Sequence, residues 1–193
     1  MREIPPQIAH RLSAAAELFA ERGLNDTKIE EIAAATGVAK ATLYYYFAGK
    51  EDILAFLLED GLRDVAEVVA AIVHGDGTGA QRLGAVISAQ LRVMAERPAV
   101  CRALIGELGR AARMPVIADM ISTAYLKPVE NLLIAGASDG SLVAQHDPRS
   151  AAIALFGAVT TSALTYLVTD NTLDEALVAR TIQNILLEGL RPR

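Results

Sequence analysis

The chain contains 193 residues, of which 52% are hydrophobic, and its formal net charge is −5. This apolar share excludes wholesale disorder, because it supplies enough side chains for a packed core. Alanine and leucine dominate and β-branched residues form no alternating runs, so the composition favours an all-α fold. The single cysteine, Cys101, excludes an internal disulfide, and the N-terminal residues show no signal-peptide pattern, so we expect a cytoplasmic protein.

The net negative charge of the chain comes from its second part. Residues 1–50 carry six basic and six acidic side chains, so the whole deficit lies in residues 51–193. The net charge of −5 counts mildly against nucleic-acid binding, because DNA-binding proteins are often basic, but this charge lies outside the N-terminal segment. The two parts therefore have different electrostatic roles.

Three short helices are predicted in the N-terminal segment. The first spans residues 6–22 and is stopped by Gly23. The second begins with Thr27 as N-cap, which forms a capping box with Glu30, and it ends at Gly37. Only about two residues separate this stop from the third helix, and so short a turn forces a steep crossing of the two helices.

The third helix, residues 39–46, has a polar and aromatic outer face. Leu43 and Phe47 lie four residues apart and close against the core, which leaves Lys40 and the three consecutive tyrosines outside or at the edge. A helix turns by about 100° per residue, so it cannot bury three consecutive rings on one face. Exposed tyrosines beside a lysine, with no acidic neighbour, suit contacts with phosphates and base edges better than a bland surface does.

The run FAERGLNDTKIEEIAAATGVAKATLYYYFAGKEDIL resembles the DNA-binding domain of the TetR/AcrR family of bacterial transcriptional regulators. The resemblance rests on the two glycine stops, the K-x-T-L-Y-Y-x-F helix and the lysine that follows it. It implies a helix-turn-helix whose third helix enters the major groove of DNA. The residues it implies as DNA contacts are Thr27, Lys28, Lys40, Ala41, Thr42, Tyr44, Tyr45, Tyr46 and Lys50.

Two positions depart from the family pattern. Ala39 stands where serine or threonine is common, and Tyr46 stands where histidine is common. The missing hydroxyl at Ala39 removes a helix cap and a phosphate contact, so we expect weaker phosphate affinity than the family pattern implies.

Residues 50–193 are predicted to form a larger helical ligand-binding and dimerisation domain behind a helix-turn-helix domain of residues 1–49, with about nine helices in total. A long helix from Lys50 to Val73 links the two. Thr78 and Gln81 form a capping-box pattern at the start of the next helix. Pro128 predicts a kink or break near residues 125–127 of a later helix.

Residues 150–169 contain no charged side chain and are barely long enough to cross a bilayer. The preceding Asp147-Pro148 is typical of a soluble helix start, and hydroxyl side chains interrupt the run, so no membrane contact is expected. We expect one side to pack on its own domain and the other on a second copy, together with a last helix from Thr172. The resemblance implies the same four-helix seam. Its predicted residues are Ala151, Ala154, Leu155, Ala158, Val178, Ile182, Ile185 and Leu186.

No catalytic constellation is present in the sequence, since the three histidines are widely separated. An enzyme, a metal site or another cofactor is therefore not expected. A small, largely apolar ligand is expected to bind in the second domain. Candidate contacts are Met94, Arg102, Glu107, Met120, Tyr125, Thr161, Thr165 and Tyr166. For each of these residues, simple packing or a solvated face is an equal alternative.

The sequence favours a homodimeric repressor that binds a palindromic operator in double-stranded DNA and is released by a small-molecule effector. One alternative is a helical ligand carrier or interaction module without DNA binding, and another is an activator on the same scaffold. The outward side chains of Lys40, Thr42, Tyr44 and Tyr45 favour DNA binding over the carrier. Sequence alone does not separate repressor from activator, and it specifies neither effector nor operator.

Overall fold

The structure, a computed structural model, describes residues 4–108, 115–170 and 172–190, and the side chains of 104–108, 115–117 and 188–190 lie outside the description. The described residues form eleven α-helices and one π-helical turn, which confirms the all-α prediction. The elements are α1 (Pro6–Leu12), α2 (Ala15–Asp26), α3 (Ile29–Thr36), α4 (Lys40–Tyr46), α5 (Lys50–Val73), α6 (Gly79–Glu96), α7 (Pro98–Leu108), α8 (Pro115–Ile121), the π-turn (Ser122–Leu126), α9 (Lys127–Ser138), α10 (Pro148–Thr169) and α11 (Glu175–Leu190).

The chain divides by its internal contacts into two units. Unit 1 comprises Met1–Gly61 and Ala99–Ile117, and unit 2 comprises Leu62–Pro98 and Ala118–Arg193. Helix α5 belongs to both units, because it continues without a break through the division. The predicted functional boundary at residue 50 stays a prediction.

Two glycines set the helix ends of unit 1. Gly23, with φ 71° and ψ 174°, breaks the helical backbone inside the bounds of α2, and Gly37, with φ 61°, ends α3, so both predicted stops are confirmed. The first predicted helix is divided into α1 and α2 at Ser13, although the backbone there remains right-handed helical. The core of this unit is apolar and includes Leu12, Phe19, Ile32, Val38, Leu43 and Phe47.

The predicted capping box of Thr27 and Glu30 at the start of α3 is wrong by one residue. Lys28 is the N-cap, and its backbone N–H donates to Oε2 of Glu31 at 3.0 Å. Thr27 is completely buried, and its hydroxyl donates to the carbonyl of Gly23 at 2.7 Å. That hydroxyl therefore satisfies the end of α2 and is not available to cap α3.

Arg11 fastens the turn between α3 and α4. Its Nε donates to the carbonyl of Thr36 at 3.0 Å, and its Nη2 donates to the carbonyl of Gly37. These carbonyls lie at the C-terminus of α3, where a helix leaves acceptors unpaired and the macrodipole favours a cation. The guanidinium thus holds in place the turn from which α4 departs.

Three predicted features of helix starts and breaks are present in unit 2. Thr78 and Gln81 form the reciprocal capping box of α6, with distances of 3.3 Å and 2.9 Å. The π-turn directly precedes α9, where Pro128 occupies the first turn. Asp147 caps α10 by accepting from the N–H of Arg149 at 3.1 Å.

The predicted start of the last helix at Thr172 is wrong. Helix α11 begins at Glu175, because the carboxylate of Asp174 accepts a hydrogen bond from the N–H of Leu177 at 2.9 Å. A carboxylate near a helix N-terminus is favourable, and the nearer acidic side chain takes the capping role from the threonine.

Helix α10 is long and apolar enough to cross a membrane by length and composition. It packs on α6, the π-turn, α9 and α11 within unit 2. Its buried residues are Ala152, Leu155, Val159, Thr160, Ala163, Leu164 and Leu167. The exposed stripe opposite includes Ser150, Ile153, Ala154, Thr161, Thr165 and Val168. One face of this helix is thus covered by its own unit, as predicted for one side of a dimer helix.

Replacing Gly37 with alanine is expected to destabilise unit 1 in two ways. The residue has a left-handed φ, which costs an L side chain about 1–2 kcal/mol. A Cβ there would also lie 2.6 Å from Nη2 of Arg11 and would displace that side chain from its carbonyls. Urea unfolding followed by circular dichroism should show a larger loss for Gly37→Ala in the wild-type background than in an Arg11→Ala background. Equal losses in the two backgrounds would show that the contact contributes nothing.

Candidate nucleic-acid interface

The outer face of α4 is formed by one lysine, small residues and aromatic rings. Tyr44 is 53% exposed and Tyr45 is 59% exposed, whereas Leu43 and Phe47 are buried. Tyr46 is half-buried, and its ring meets that of Tyr45 edge to face with centroids 4.9 Å apart. The tyrosines are therefore distributed as the helical rotation predicts, with two rings presented outward.

The lysine on this face is held by an acidic residue of the preceding helix. Nζ of Lys40 forms an ion pair with the carboxylate of Glu30, and it lies 5.9 Å from the ring centroid of Tyr44. The hydrogen bond between the two charged groups lowers the pKa of Glu30 and raises that of Lys40. Lys40 is the only charged residue between Val38 and Ala48. In the free protein, Glu30 therefore neutralises the positive charge on the outer face of α4.

A phosphate must therefore compete with Glu30 for Lys40. Phosphate and the Glu30 carboxylate are both anionic acceptors. The side chains of Lys40 and Glu30 are exposed, so a phosphate from solvent can replace Glu30 as the partner of Lys40. Sequence reasoning missed this role, because Glu30 was assigned to the helix cap. Glu30 and Lys40 are ten residues apart, on opposite sides of the turn. This spacing indicates an ion pair only when the crossing of α3 and α4 is already known.

A second ion pair joins α2 to α3. Nη1 of Arg22 pairs with Glu31, whose other oxygen caps Lys28. The hydrogen bond from the Lys28 N–H is the main reason that the pKa of Glu31 is lowered. Lys28 itself is exposed at the start of α3, so its ammonium group is accessible to DNA.

Lys50 has protein partners in the free chain. Its Nζ donates to the carbonyl of Asn25 at 2.7 Å and to that of Thr27 at 2.9 Å. It thus ties the first turn of α5 to the link between α2 and α3. The ammonium group of Lys50 has three donors, of which these carbonyls use two, so the phosphate contact predicted for Lys50 stays a prediction. The side chain of Thr27 is buried.

The predicted ligand contacts among the described residues differ in unit and in exposure. Met94 and Tyr125 are buried in unit 2, and Met120 is half-buried there. Arg102 forms an ion pair of 2.9 Å with Glu17 in unit 1. The side chain of Glu107 lies outside the described residues. The remaining predicted contacts, Thr161, Thr165 and Tyr166, are exposed on α10.

Thr160 is the hydroxyl that faces the interior from this part of α10. It accepts a hydrogen bond of 2.9 Å from Nε2 of Gln90, a buried residue of α6 that sequence reasoning missed. Adjacent helical positions differ by about 100°, so an error of one position moves a side chain from the core to the surface.

The predicted dimer residues fall into three groups by exposure. Leu155, Val178 and Ile182 are buried within unit 2. Ala154 and Ile185 are exposed. The others, Ala151, Ala158 and Leu186, are partly exposed. Further large apolar residues exposed on α10 and α11 are Ile153, Val168 and Leu177.

Glu30→Gln is expected to strengthen binding to DNA of random sequence. The change releases Lys40 and removes a negative charge that a phosphate would approach. Affinity measured by fluorescence anisotropy should rise, and the plot of log affinity against log salt should steepen by about one per subunit. Glu21→Gln is the matched control, because Glu21 is exposed on α2 and its loss changes the net charge equally. If both variants gain alike, the effect is general charge and the ion pair has no role.

Comparisons with known proteins agree with this geometry. The sequence pattern of the family described as bacterial regulatory proteins, tetR family, matches residues 12–56. The transcriptional regulator RutR of Escherichia coli (strain K12) is 30% identical over 94% of this chain and 89% of its own. The fatty acid metabolism regulator protein of Bacillus subtilis (strain 168) is 25% identical over 98% of both chains.

The fold matches that of a solved relative over almost its whole length. The crystal structure of FadR from Bacillus subtilis, in complex with stearoyl-CoA, has a TM-score of 0.79 and 25% identity, covering 96% of this chain and 98% of that one. The chain therefore belongs to the tetR family of bacterial regulatory proteins and is a DNA-binding transcriptional regulator.

Proposed function

We propose that the chain is a cytoplasmic homodimeric repressor that leaves its operator when a fatty acyl thioester binds unit 2. The observation that carries the DNA-binding part is the outward face of α4, with two exposed tyrosines beside a single lysine. Tyrosine hydroxyls donate to phosphates, and the rings pack on sugars and thymine methyl groups. Small Ala41 allows the helix to approach the groove closely.

The phosphate contacts are assigned by accessibility. Lys28 and Lys40 have exposed side chains and are proposed to contact the backbone of DNA, with Thr42 at the edge of the same face. Lys50 is proposed to act mainly by holding the α2–α3 link through its two carbonyl partners. With so few cations near the groove, one copy binds weakly, and two copies are needed for a stable complex.

The second copy is proposed to pack on the exposed stripes of α10 and α11. The stripe of α10 is uncharged, and Gly157 lies in it with open space where a Cβ would stand. On α11, Leu177 and Ile185 expose large apolar side chains. Two such helices from each chain form a four-helix seam, which would set two copies of α4 in successive major grooves, roughly 34–36 Å apart.

The ligand class is proposed from the relatives and from the interior of unit 2. The solved FadR holds stearoyl-CoA, and the Bacillus subtilis relative is named for fatty acid metabolism. The buried residues of α6, α9 and α10 are mostly aliphatic, which suits an acyl chain. A ligand that binds better to the conformation with weak DNA affinity shifts the population away from the operator. The relatives are named as regulators, which does not favour the alternative of a ligand carrier without DNA binding.

A mobility-shift assay on the DNA upstream of the chain's own coding sequence tests this proposal. We expect a sequence-preferring complex that stearoyl-CoA dissociates and that free coenzyme A leaves intact. Absence of any sequence preference would contradict the repressor function. Persistence of the complex at saturating stearoyl-CoA would contradict the ligand class alone.

Tyr44→Ala is expected to weaken specific binding in the same assay by about 1–3 kcal/mol, the scale of one good base contact. Tyr44→Phe keeps the ring and loses the hydroxyl, so it separates the packing contribution from the hydrogen bond. Unchanged affinity in both Tyr44→Ala and Lys40→Ala would show that this face of α4 is not the reading surface.

Gly157→Gln is expected to disrupt the dimer without unfolding the chain. A Cβ at this position meets nothing within 4 Å in the single chain, whereas a glutamine side chain there would intrude between two packed copies. Sedimentation velocity should show a shift toward monomer, with a parallel loss of operator affinity. Ala70→Gln, at an exposed position of α5, is the control and should remain dimeric. A dimeric Gly157→Gln variant would place the seam elsewhere.

A further inference from the structure

Two polar side chains lie in the aliphatic interior of unit 2 with atoms that lack a hydrogen-bond partner among the described residues. These atoms are the hydroxyl of Tyr125, in the π-turn, and Oε1 of Gln90, on α6. The two residues are only 1% and 3% exposed. Native interiors rarely leave such atoms unpaired, so each requires an explanation.

Both side chains contact the same face of α10. The ring of Tyr125 packs edge to face on that of Phe156, with centroids 5.1 Å apart. Nε2 of Gln90 donates to the hydroxyl of Thr160 at 2.9 Å. Phe156 and Thr160 are four residues apart, about one turn of helix. The two side chains therefore contact α10 one helical turn apart.

Packing alone does not require either polar atom. Phenylalanine would fill the space of Tyr125, and leucine or methionine would fill most of that of Gln90. Burial raises the pKa of the Tyr125 hydroxyl, so this group stays protonated and is available as a donor. Oε1 of Gln90 can only accept. The interior thus offers one donor and one acceptor beside apolar walls.

The π-turn that precedes Pro128 places Tyr125 in this region. The segment Ser122–Leu126 departs from α-helical geometry immediately before α9, and Tyr125 is its buried residue. Single π-turns inside helices are frequent at functional sites, because they redirect side chains at a cost in regularity. Here the redirected side chain is the one with the unpaired hydroxyl.

We propose that Tyr125 and Gln90 bind a hydroxyl group in the buried part of the effector, so that the preferred ligand is a hydroxylated acyl thioester and not a saturated one. A hydroxyl is the smallest group that accepts from Tyr125 and donates to Gln90 at the same time. A saturated chain would leave both atoms unpaired, which a site built for hydrogen bonding penalises. This inference rests on the proposed ligand-release function and narrows its ligand class.

Isothermal titration calorimetry on the full-length protein, without DNA, tests the inference. The probes are stearoyl-CoA and a stearoyl-CoA series with one hydroxyl near the thioester, in mid-chain or near the methyl end. The variants are Tyr125→Phe and Gln90→Leu, which keep the volume of the interior. Thr123→Val is the control, because it removes a hydroxyl from an exposed position of the same π-turn.

We expect one hydroxylated probe to bind wild type about tenfold more tightly than stearoyl-CoA. That advantage should disappear in Tyr125→Phe and Gln90→Leu, because these variants lack the polar atoms and should bind stearoyl-CoA at least as tightly as wild type does. It should persist in Thr123→Val. The inference is overturned if no hydroxylated probe exceeds stearoyl-CoA, or if the advantage survives in both interior variants. Failure of every probe to bind overturns the acyl thioester class itself, and the inference with it.

Discussion

The orientation of α4 depends on one contact, the guanidinium of Arg11 on the carbonyls at the end of α3. Gly37 permits the left-handed turn, and Arg11 satisfies the acceptors that this turn leaves open. The crossing that results buries Leu43 and presents Tyr44 outward. The features of the reading surface described above follow from this turn.

Charge is used sparingly around that surface. The cation of Lys40 is already paired with Glu30, and the amine of Lys50 is occupied by two carbonyls. The DNA-binding domain of one copy therefore gains little affinity from attraction to phosphates. Shape and aromatic contacts must supply the sequence specificity. In the proposed dimer, the uncharged stripe of α10 therefore contributes to DNA binding, because joining two weakly binding copies multiplies their affinity.

Features encoded by neighbouring residues were predictable from the sequence. The stops at Gly23 and Gly37, the cap of Thr78 and the break before Pro128 involve residues within one or two turns of each other. Features that depend on packing between helices were not. The roles of Arg11 and Lys50 involve partners about 25 residues away in sequence, and the choice of Thr160 over Thr161 depends on which face α6 covers.

The proposed dimer places two copies of the α4 face in successive major grooves of one operator. Hydroxyl-radical footprinting of the dimer on the DNA upstream of its own coding sequence measures this directly. We expect two equivalent protected windows, related by a dyad and centred about 10–10.5 base pairs apart or a multiple of that spacing. A single protected window, or two windows with no dyad relation, would contradict it.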